Sequence, residues 1–459
     1  MSTDRLPKGF AVRLDSRVRI TDRSARGQGG ANLVAPFGTV VALTAHESGM
    51  IDDGVLEVTD HVSGALARRL LDLGVAHPRP SRGPSRAELT VVIPVRDGAA
   101  SLDRLLGALT GVSIIVVDDG SYPPIERPGI TVIRHQQPFG LAEARNTGLR
   151  AAQTPFVAFL DPCVQPGSLW AEALLAHFAD PDVGLVVPRL NPLPSRRRWA
   201  QRYDAMRPSL EPGRRECGLS PGAAPFGVPA SALVARRKAL LAVGGFDAGF
   251  PAANGTDVCL RLVNDGWRVR FDPVAVVQSE APSDLAQWVK ARAVAGSASA
   301  RLSASFSDAS RLALWSRVWP ALLAVFVLLG KRSTALGLFV LALGGSARLA
   351  RRVPPVDNTL QTAATMAALE LRGAFWRCSA LVLRHAWPVS LAAAVVSRRA
   401  RYALAVLALA EGAFDWMSRR DSDDSLDLVR YAVLRRVDDM AFGFGAWQGY
   451  LEVRKLRQR

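Results

Sequence analysis

The sequence predicts an α/β fold in which a mostly parallel sheet is flanked by helices. A small α+β unit precedes this sheet, and a helical region that is both basic and apolar follows it. Between residues 89 and about 280, short apolar runs of buried-strand length alternate with segments whose apolar residues recur at helical spacing. Polar or acidic residues close several of these runs, as expected where parallel strands end at a binding edge.

The length of the chain and its Pro- and Gly-rich stretches divide it into parts. With 459 residues it is too long for one ordinary domain. We expect a small α+β domain over residues 1–80 and a linker rich in Pro, Ser, Gly and Arg over 81–88. The α/β domain then covers 89–284, and the helical region covers 285–459.

The first 80 residues carry short strand signals and one helix signal. Alternating apolar residues over 10–20 predict a hairpin or strand pair, and residues 56–58 predict a further strand. Apolar positions over 62–73 recur at helical spacing and end at Gly74, a residue suited to the turn after a helix. This pattern is similar to that of small winged-helix modules that bind peptides.

The α/β part supplies five apolar runs with helical patterns between several of them. The predicted strands span residues 89–94, 113–118, 131–134, 156–161 and 184–188. The predicted helices span residues 101–109, 142–152 and 169–178. In open sheets of this kind, ligands bind beyond the carboxyl ends of the strands, so the residues that follow these runs are the candidates for chemistry.

The region from 285 onward is strongly basic. It carries 25 Lys and Arg against 12 Asp and Glu, and so holds +13 of the net charge of +16. These cations lie among Leu, Val, Ala and Trp, which favours an anionic membrane surface over nucleic acid as the partner. Its apolar stretches are each shorter than the roughly 18–20 residues that cross a bilayer; they span 318–329, 333–347, 389–397 and 402–410. They predict a re-entrant hairpin or interfacial helices, with a plain helical bundle as the alternative.

The cysteines and the N-terminus predict a cytoplasmic protein. The four cysteines are scattered without metal-ligand spacing, as in a reducing compartment. The first ten residues lack the basic start and apolar core of a signal peptide. Together with the basic C-terminal region, this places the protein in the cytoplasm, peripheral or re-entrant at the inner face of the cell membrane.

Acidic residues at the strand ends are the candidates for binding the base and ribose of a nucleotide-sugar donor. Asp97, Asp118, Asp119 and Asp161 all fall at or just past such ends. A carboxylate there can accept hydrogen bonds from uracil N–H or ribose hydroxyl groups. Asp-Asp-Gly-Ser at 118–121 is equally good turn chemistry, so both interpretations stand for the first two acids of that motif.

Two residues suit a diphosphate. Arg145 lies on the helix that follows Gly140, where a guanidinium can clamp phosphate oxygens, although an ordinary surface arginine fits the pattern too. Asp161 ends an apolar strand, where a carboxylate fits a divalent metal that bridges the diphosphate. The alternative for Asp161 is a strand-end cap.

Asp257 is the candidate general base. It begins a helix whose apolar face holds Val258 and Leu262, and a carboxylate there can deprotonate an acceptor hydroxyl. The alternative is a cap or a partner of the helix dipole. The segments expected to shape the acceptor pocket are 190–225, which suits a lid or a surface insertion, and 244–254.

Together these motifs resemble glycosyltransferase family 2, whose members have the GT-A fold. The resemblance covers residues 89–273, and its motifs lie at 92–95, 117–121, 140–146, 159–161 and 244–247. It implies an inverting transfer from a nucleotide sugar, usually UDP-linked, with Asp257 as the catalytic base and Mg²⁺ or Mn²⁺ at Asp161. For nucleotide-sugar binding it implies Pro94, Val95, Asp97, Asp118, Asp119, Arg145 and Asp161. For the acceptor side it implies Gly244, Gly245, Phe246 and Asp247.

The flanking segments 6–78 and 384–388 resemble the glycosyltransferases of the mycofactocin system, a pathway to a peptide-derived redox cofactor. This wider resemblance implies glucose transfer from UDP-glucose to mycofactocin or its peptide-derived precursor, building a β-1,4-linked oligosaccharide. Nucleic acid is not an expected partner. The alternatives are a lipid or cell-wall acceptor and a non-catalytic sugar-nucleotide-binding scaffold.

The sequence departs from the family pattern at two positions. The family usually has Asp-X-Asp after the third strand, whereas here Cys163 stands in place of the second acid. A thiol is a soft ligand and a poor substitute for a carboxylate on Mg²⁺ or Mn²⁺. Thr256 replaces an acidic neighbour of the proposed base. The predicted site therefore offers a metal one carboxylate, that of Asp161, instead of two.

Overall fold

The computed structural model describes most of the chain. The described residues are 6–22, 30–35, 40–79, 83–193, 199–207, 215–219, 228–250, 253–280, 284–305, 372–373, 375–420 and 426–457.

The N-terminal unit contains two small antiparallel sheets. The strands of the first sheet are β1 (Ala11–Leu14), β5 (Ile51–Asp52), β6 (Val55–Glu57) and β7 (Ala76–Pro78). The strands of the second are β2 (Arg19–Asp22), β3 (Ala31–Val34) and β4 (Val40–Ala42). The strand order is β5-β6-β1-β7 in the first sheet and β2-β3-β4 in the second. The predicted pairing within residues 10–20 is wrong, because both edges of β1 are occupied by β6 and β7 while β2 pairs with β3.

Two helices accompany these sheets, α1 (Ala45–Gly49) and α2 (His61–Asp72). Helix α2 confirms the helix predicted over 62–73. Asp60 caps its start by accepting a hydrogen bond of 2.8 Å from the Ser63 N–H. Gly74 follows its end with φ +67°, a conformation that glycine adopts without steric strain. Leu66 and Leu70 point into the core of this unit.

The central sheet is parallel on one side and mixed on the other. Its strands are β8 (Leu89–Val95), β9 (Ser113–Asp118), β10 (Thr131–Arg134), β11 (Phe156–Leu160), β12 (Val164–Pro166), β13 (Val183–Pro192), β14 (Cys217–Leu219), β15 (Ala232–Arg236) and β16 (Arg268–Ser279). The order is β10-β9-β8-β11-β15-β13-β16-β12, with β14 beside β16. The first four strands run parallel, β15 is antiparallel to both neighbours, and β13 and β16 are parallel again. The predicted strand positions are therefore confirmed, and the parallel part holds the strand ends that carry the candidate residues.

Helices cover both faces of the sheet, which confirms the α/β fold class. They are α3 (Ala99–Ala108), α4 (Leu141–Ala151), α5 (Trp170–Ala176), α6 (Trp199–Met206), α7 (Arg237–Ala242) and α8 (Asn254–Asn264). Val92 and Ile93 are neighbours in β8, both are fully buried, and they belong to different cores. This arrangement follows from the alternation of side chains along a strand whose two faces are both covered.

Buried ion pairs join the N-terminal unit to the central sheet. Arg68 of α2 donates to Asp180 at 2.6 and 2.8 Å and to Asp182 at 2.9 Å. Arg268, at the start of β16, bridges Asp72 of α2 and the same Asp182, each at 2.9 Å or less. The Arg68 pairs are shielded from water, whereas Asp72 is nearly half exposed, so it is the Arg68 pairs that fix how α2 lies against the sheet.

The described part of the C-terminal region is helical, as predicted. It contains α9 (Leu285–Ser305), a π-helical segment (Ala380–His385), α10 (Trp387–Val396), α11 (Arg398–Met417) and α12 (Leu428–Arg457). Helices α9 and α12 pack closely at Gly445, where the absence of a side chain permits the contact. A Cβ there would lie 1.7 Å from the carbonyl oxygen of Ala293. The apolar segments 318–329 and 333–347 lie outside the described residues.

Among the described helices, no single one is long and apolar enough to cross a bilayer. The helices Phe375–His385 and Trp387–Val396 meet these criteria only when taken together, and they are bent by 82° at the break between them.

Candidate functional site

The ends of β8 and β9 lie side by side, as the parallel pairing requires. Pro94 and Val95 pair with Val117 and Asp118. Asp118 is fully buried, and its carboxylate accepts hydrogen bonds from the backbone N–H groups of Ser121 and Ile125 at 2.8 and 3.2 Å. It also accepts one from Arg134, 2.9 Å away.

Burial alone would raise the pKa of Asp118. The hydrogen bonds from Ser121 and Ile125 and the charge of Arg134 more than offset that effect, so its pKa lies below the ordinary value. Asp118 is thus an ionised carboxylate that fixes the loop after β9.

Asp119 shapes the loop before α4 in the same way. Its carboxylate accepts hydrogen bonds of 2.8 Å from the backbone N–H groups of Phe139 and Gly140. His135 Nδ1 lies at the same distance from its Oδ1. Burial opposes ionisation, but these hydrogen bonds lower the pKa of Asp119 below its ordinary value. The turn that starts α4 is therefore anchored to the end of β9.

Asp97 is the exposed carboxylate at this edge. Its side chain is 57% exposed, and its backbone adopts φ +54°, which is uncommon for a residue other than glycine. One carboxylate oxygen accepts a hydrogen bond of 2.9 Å from the Tyr122 N–H, and the Asp97 N–H donates to Ser121 Oγ at 3.0 Å. Backbone strain of this kind concentrates at functional sites.

Arg145 brings four separate segments together. It is 1% exposed and donates from Nη2 to Asp161 Oδ1 at 2.7 Å. Its Nη1 lies 3.4 Å from Asn254 Oδ1, and its guanidinium lies 5.4 Å from the centre of the Phe246 ring. Its Nε is buried and makes no hydrogen bond within the described residues. The predicted residues Arg145, Asp161 and Phe246 therefore form one buried cluster with a hydrogen-bond donor to spare.

Asn146 holds the segment that the sequence assigns to the acceptor side. Its amide forms two hydrogen bonds of 2.8 Å with the backbone N–H and carbonyl of Phe246. Gly245 has φ +72°, and a Cβ there would lie 2.4 Å from Asn146 Oδ1. Gly244 also has a positive φ, of 79°. Gly245 therefore allows the backbone to pass close to α4, and Gly244 supplies the other left-handed position of the turn.

Asp247 turns its side chain back onto its own loop. Its Oδ1 accepts a hydrogen bond of 2.7 Å from the Gly249 N–H, and its carbonyl accepts one of 2.6 Å from Asn254 Nδ2. The predicted acceptor-side residues thus form a fixed loop between α4 and the start of α8.

Asp257 lies in the first turn of α8 and is 2% exposed. Its Oδ2 accepts hydrogen bonds from Arg261 Nη2 and Nε at 2.5 and 3.0 Å. Arg261 also donates to the carbonyl oxygens of Val243 and Gly245. The carboxylate is therefore paired with its own helix, and Asn254 is the α8 side chain that contacts Arg145.

The surroundings of Asp161 allow one carboxylate ligand for a metal. Its side chain is 17% exposed, and one oxygen is paired with Arg145. Burial and the nearby carboxylates of Asp161 and Glu280 raise the pKa of the Cys163 thiol to about 11, so this thiol is protonated near neutral pH. Within the described residues, no group of three or more His, Cys, Asp or Glu is arranged to hold a metal ion. A single carboxylate, that of Asp161, suits Mg²⁺ or Mn²⁺ when substrate phosphates supply further ligands.

Sequence reasoning missed two amides and a histidine, namely Asn146, Asn254 and His135. The first two connect segments 100 or more residues apart along the chain, so no local pattern reveals their partners. At the start of α8, a Cβ at Gly255 would lie 2.3 Å from the carbonyl oxygen of Val228, so the two backbones pack closely there.

Comparison with known proteins identifies similar chains. The sequence profile described as "Glycosyl transferase family 2" matches residues 90–241. A pre-mycofactocin glycosyltransferase of Mycobacterium tuberculosis (strain CDC 1551 / Oshkosh) is 38% identical over 468 aligned positions, covering 99% of this chain and 98% of that protein. A validoxylamine A glucosyltransferase of Streptomyces hygroscopicus subsp. jinggangensis is 36% identical over 115 positions, covering 22% of this chain and 27% of that protein.

Solved structures are more distant. A mannosyltransferase from Pyrobaculum calidifontis, in complex with GDP-Man and Mn²⁺, is 18% identical with a TM-score of 0.39. The match covers 64% of this chain and 90% of that one.

Proposed function

The chain belongs to glycosyltransferase family 2, and we propose that it transfers a hexose from a UDP-sugar to mycofactocin or its peptide-derived precursor. It is an enzyme, a glycosyltransferase. The observation that carries the acceptor is the full-length similarity to a pre-mycofactocin glycosyltransferase, which includes the segments on both sides of the family domain. The donor in this proposal is UDP-glucose, and inverting transfer builds a β-1,4-linked oligosaccharide.

Arg145 and the strand-end acids form the donor side of the proposed site. Asp97, which is exposed, accepts hydrogen bonds from uracil or ribose. Asp118 and Asp119 hold the two loops over the strand ends in place. Arg145 stabilises the negative charge of the departing diphosphate, since its guanidinium is fixed by Asp161 and its buried Nε has no partner within the described residues.

A divalent metal, Mg²⁺ or Mn²⁺, forms part of the same proposal. Asp161 would hold the ion, which supplies positive charge to the diphosphate when bound. Cys163, protonated near neutral pH, contributes no thiolate. Because the protein offers one carboxylate, we expect the ion to bind tightly only together with UDP. Isothermal titration of Mn²⁺ in the presence and absence of UDP measures this difference without turnover.

Asp257 is the proposed general base. Its support is its position as the acidic residue in the first turn of α8, next to the loop of the acceptor side. The pairing with Arg261 keeps the carboxylate oriented. We expect Asp257→Asn to retain UDP-sugar binding and to lose transfer, as measured by UDP release and by a binding titration.

The matched control is Asp265→Asn, an exposed acid at the end of the same helix. It should leave transfer unchanged. Transfer by Asp257→Asn at the wild-type rate would place the base elsewhere.

The proposed reaction is tested directly with purified protein, UDP-glucose, Mn²⁺ and mycofactocin precursors. We expect UDP release together with the addition of hexose masses to the acceptor, followed by mass spectrometry. Replacing UDP-glucose by UDP-galactose or GDP-mannose checks the donor. An absence of UDP release with every precursor would reject the proposed acceptor.

A lipid-linked acceptor is the second candidate. The observation that favours it is the apolar surface of α10, a helix without buried residues. Membrane extracts supplied with radiolabelled UDP-glucose distinguish the two acceptors, since label in the organic phase supports the lipid and label in the aqueous phase supports the cofactor precursor.

We place the protein in the cytoplasm at the inner face of the cell membrane. The support is the net charge of residues 285–459 and the apolar residues among which those cations lie. Nucleic acid has no part in this proposal.

A further inference from the structure

Helix α10 is an apolar helix in contact with solvent. Its ten residues, Trp387–Val396, include none that is buried. Val395 and Val396 are 78% and 87% exposed, and Val389 and Leu391 are more than half exposed. Contiguous exposed apolar surface of this kind marks an interaction site in a soluble setting.

Helix α11 extends this surface along one side. Tyr402, Val406 and Leu409 are each more than 60% exposed and recur at intervals of four and three residues. This spacing places them on one stripe of the helix. The buried residues of α11, which include Glu411 and Asp415, face α12 instead. The stripe is therefore on the side of α11 away from the helical core.

Three arginines lie where α10 meets α11. Arg398, Arg399 and Arg401 are exposed, and none has an acidic partner among the residues the structure describes. Arg401 Nε donates to the carbonyl oxygen of Ala394 at 3.0 Å, which ties the end of α10 to α11. Within the described part of the chain, the junction thus presents positive charge without an acidic partner directly beside exposed valines.

We propose that the α10–α11 junction, residues 387–409, is the surface by which this protein docks on a membrane that contains anionic lipids. Helix α10 lies in the interface with its apolar side chains among the acyl chains, and the three arginines contact lipid phosphates. The inference rests on the proposed location at the membrane and not on the proposed chemistry.

Charge selects the membrane over the other occupants of this surface. A second copy of the chain, packed symmetrically at the junction, would bring two sets of three arginines together. The segment 306–371 of this chain carries seven Lys and Arg against three Asp and Glu, so it would not neutralise them. An anionic bilayer supplies both the negative charge and the apolar phase.

The test measures sedimentation of the full-length protein with vesicles. We expect binding to vesicles of phosphatidylcholine with about one third phosphatidylglycerol, and roughly hundredfold weaker binding to phosphatidylcholine alone, because each of the three arginines near an anionic surface strengthens binding about fivefold. Raising the salt concentration should weaken the first interaction.

Two double variants disrupt the apolar side and the charged side of the junction. Val395→Asp with Val396→Asp should reduce binding to anionic vesicles by about tenfold or more. Arg398→Gln with Arg399→Gln should remove most of the preference for anionic lipid, since Arg401 alone remains at the junction. The matched control, Val274→Asp, changes a valine that is 80% exposed on β16 and should bind vesicles like the unchanged protein.

Turnover of a water-soluble acceptor separates this inference from the proposed chemistry. Both double variants should retain wild-type UDP release with such an acceptor, since their residues lie outside the candidate site. Equal binding of the Val395→Asp, Val396→Asp variant would overturn the docking surface. An absence of vesicle binding would also overturn it, whether light scattering shows the protein to be monomeric or dimeric.

Discussion

Two buried arginines, Arg145 and Arg435, have opposite surroundings. Arg145, beside the strand ends, pairs with one carboxylate, that of Asp161, and keeps a buried nitrogen without a partner. Arg435, in α12, donates to Glu411 at 2.5 Å and to Asp439 at 2.8 Å. Two further carboxylates, those of Asp415 and Asp438, lie within 3.8 Å of it. We call Arg435 and its four acids the α12 cluster.

The contrast separates an arginine that holds helices from one that can bind a ligand. The Arg435 guanidinium is already surrounded by four carboxylates of the protein, so an added anion would have to displace one of them. Arg145 has one such partner and can gain a second from a diphosphate. A buried charge therefore indicates a binding site only when its pairing is incomplete.

The α12 cluster also shows how unevenly burial acts on its acids. Burial raises the pKa of Asp439, and the neighbouring arginines do not fully offset it. For Asp415, burial is outweighed by the charges of Arg207 and Arg435, so its pKa falls below the ordinary value. The cluster is thus held together by several cations, with Arg435 at its centre.

Removing Arg435 should have the largest effect on stability. Arg435→Met leaves four buried acids without their central cation, and we expect a loss of about 3–5 kcal/mol in the free energy of unfolding. Urea denaturation measures it. The matched control is Arg150→Met, whose pair with Glu143 is largely exposed and should contribute little. If both variants lost the same free energy of unfolding, the α12 cluster would contribute no more to stability than an exposed ion pair.

Removing the guanidinium of Arg145 should act on turnover instead. Arg145→Lys keeps the charge but loses the planar fork, and we expect kcat to fall about 10²–10³-fold because a donor to the leaving diphosphate is lost. Arg150→Lys, on the exposed side of the same helix, is the control for both UDP release and unfolding. If Arg145→Lys lost stability while keeping its kcat, Arg145 would belong with Arg435 as a structural cation.

The sequence predicts what is local and misses what is distant. The strands over 113–118 and 131–134 match the structure at both ends because their apolar runs are bounded by polar residues. The pairing of β1 depends on strands more than 40 residues away, so alternation over 10–20 could not assign it.

The same limit applies to the candidate site. Acids at strand ends were identifiable, but the sequence could not separate exposed Asp97 from Asp118, whose carboxylate is occupied by backbone N–H groups. Nor could it show that Asn254 contacts Arg145, since the two are 109 residues apart. The pairing of Asp257 with Arg261 was within reach, because residues four apart on a helix are neighbours.

The reactivity of Cys163 tests the surroundings of Arg145, and its expected effect is the smallest of these predictions. Arg145 pairs with Asp161, two residues before Cys163, yet its charge does not activate the thiol, whose pKa burial raises to about 11. Because the thiolate is the reactive form, alkylation of the native protein should accelerate about tenfold per pH unit between pH 8 and 10. In urea the rate should level off near the ordinary cysteine pKa of about 8.5. Peptide mass spectrometry after iodoacetamide treatment isolates Cys163 from the other three cysteines. If the alkylation rate of the native protein levelled off near pH 8.5, the positive charge of Arg145 would be lowering the pKa of the Cys163 thiol. The pairing of Arg145 with Asp161 would then not cancel that effect.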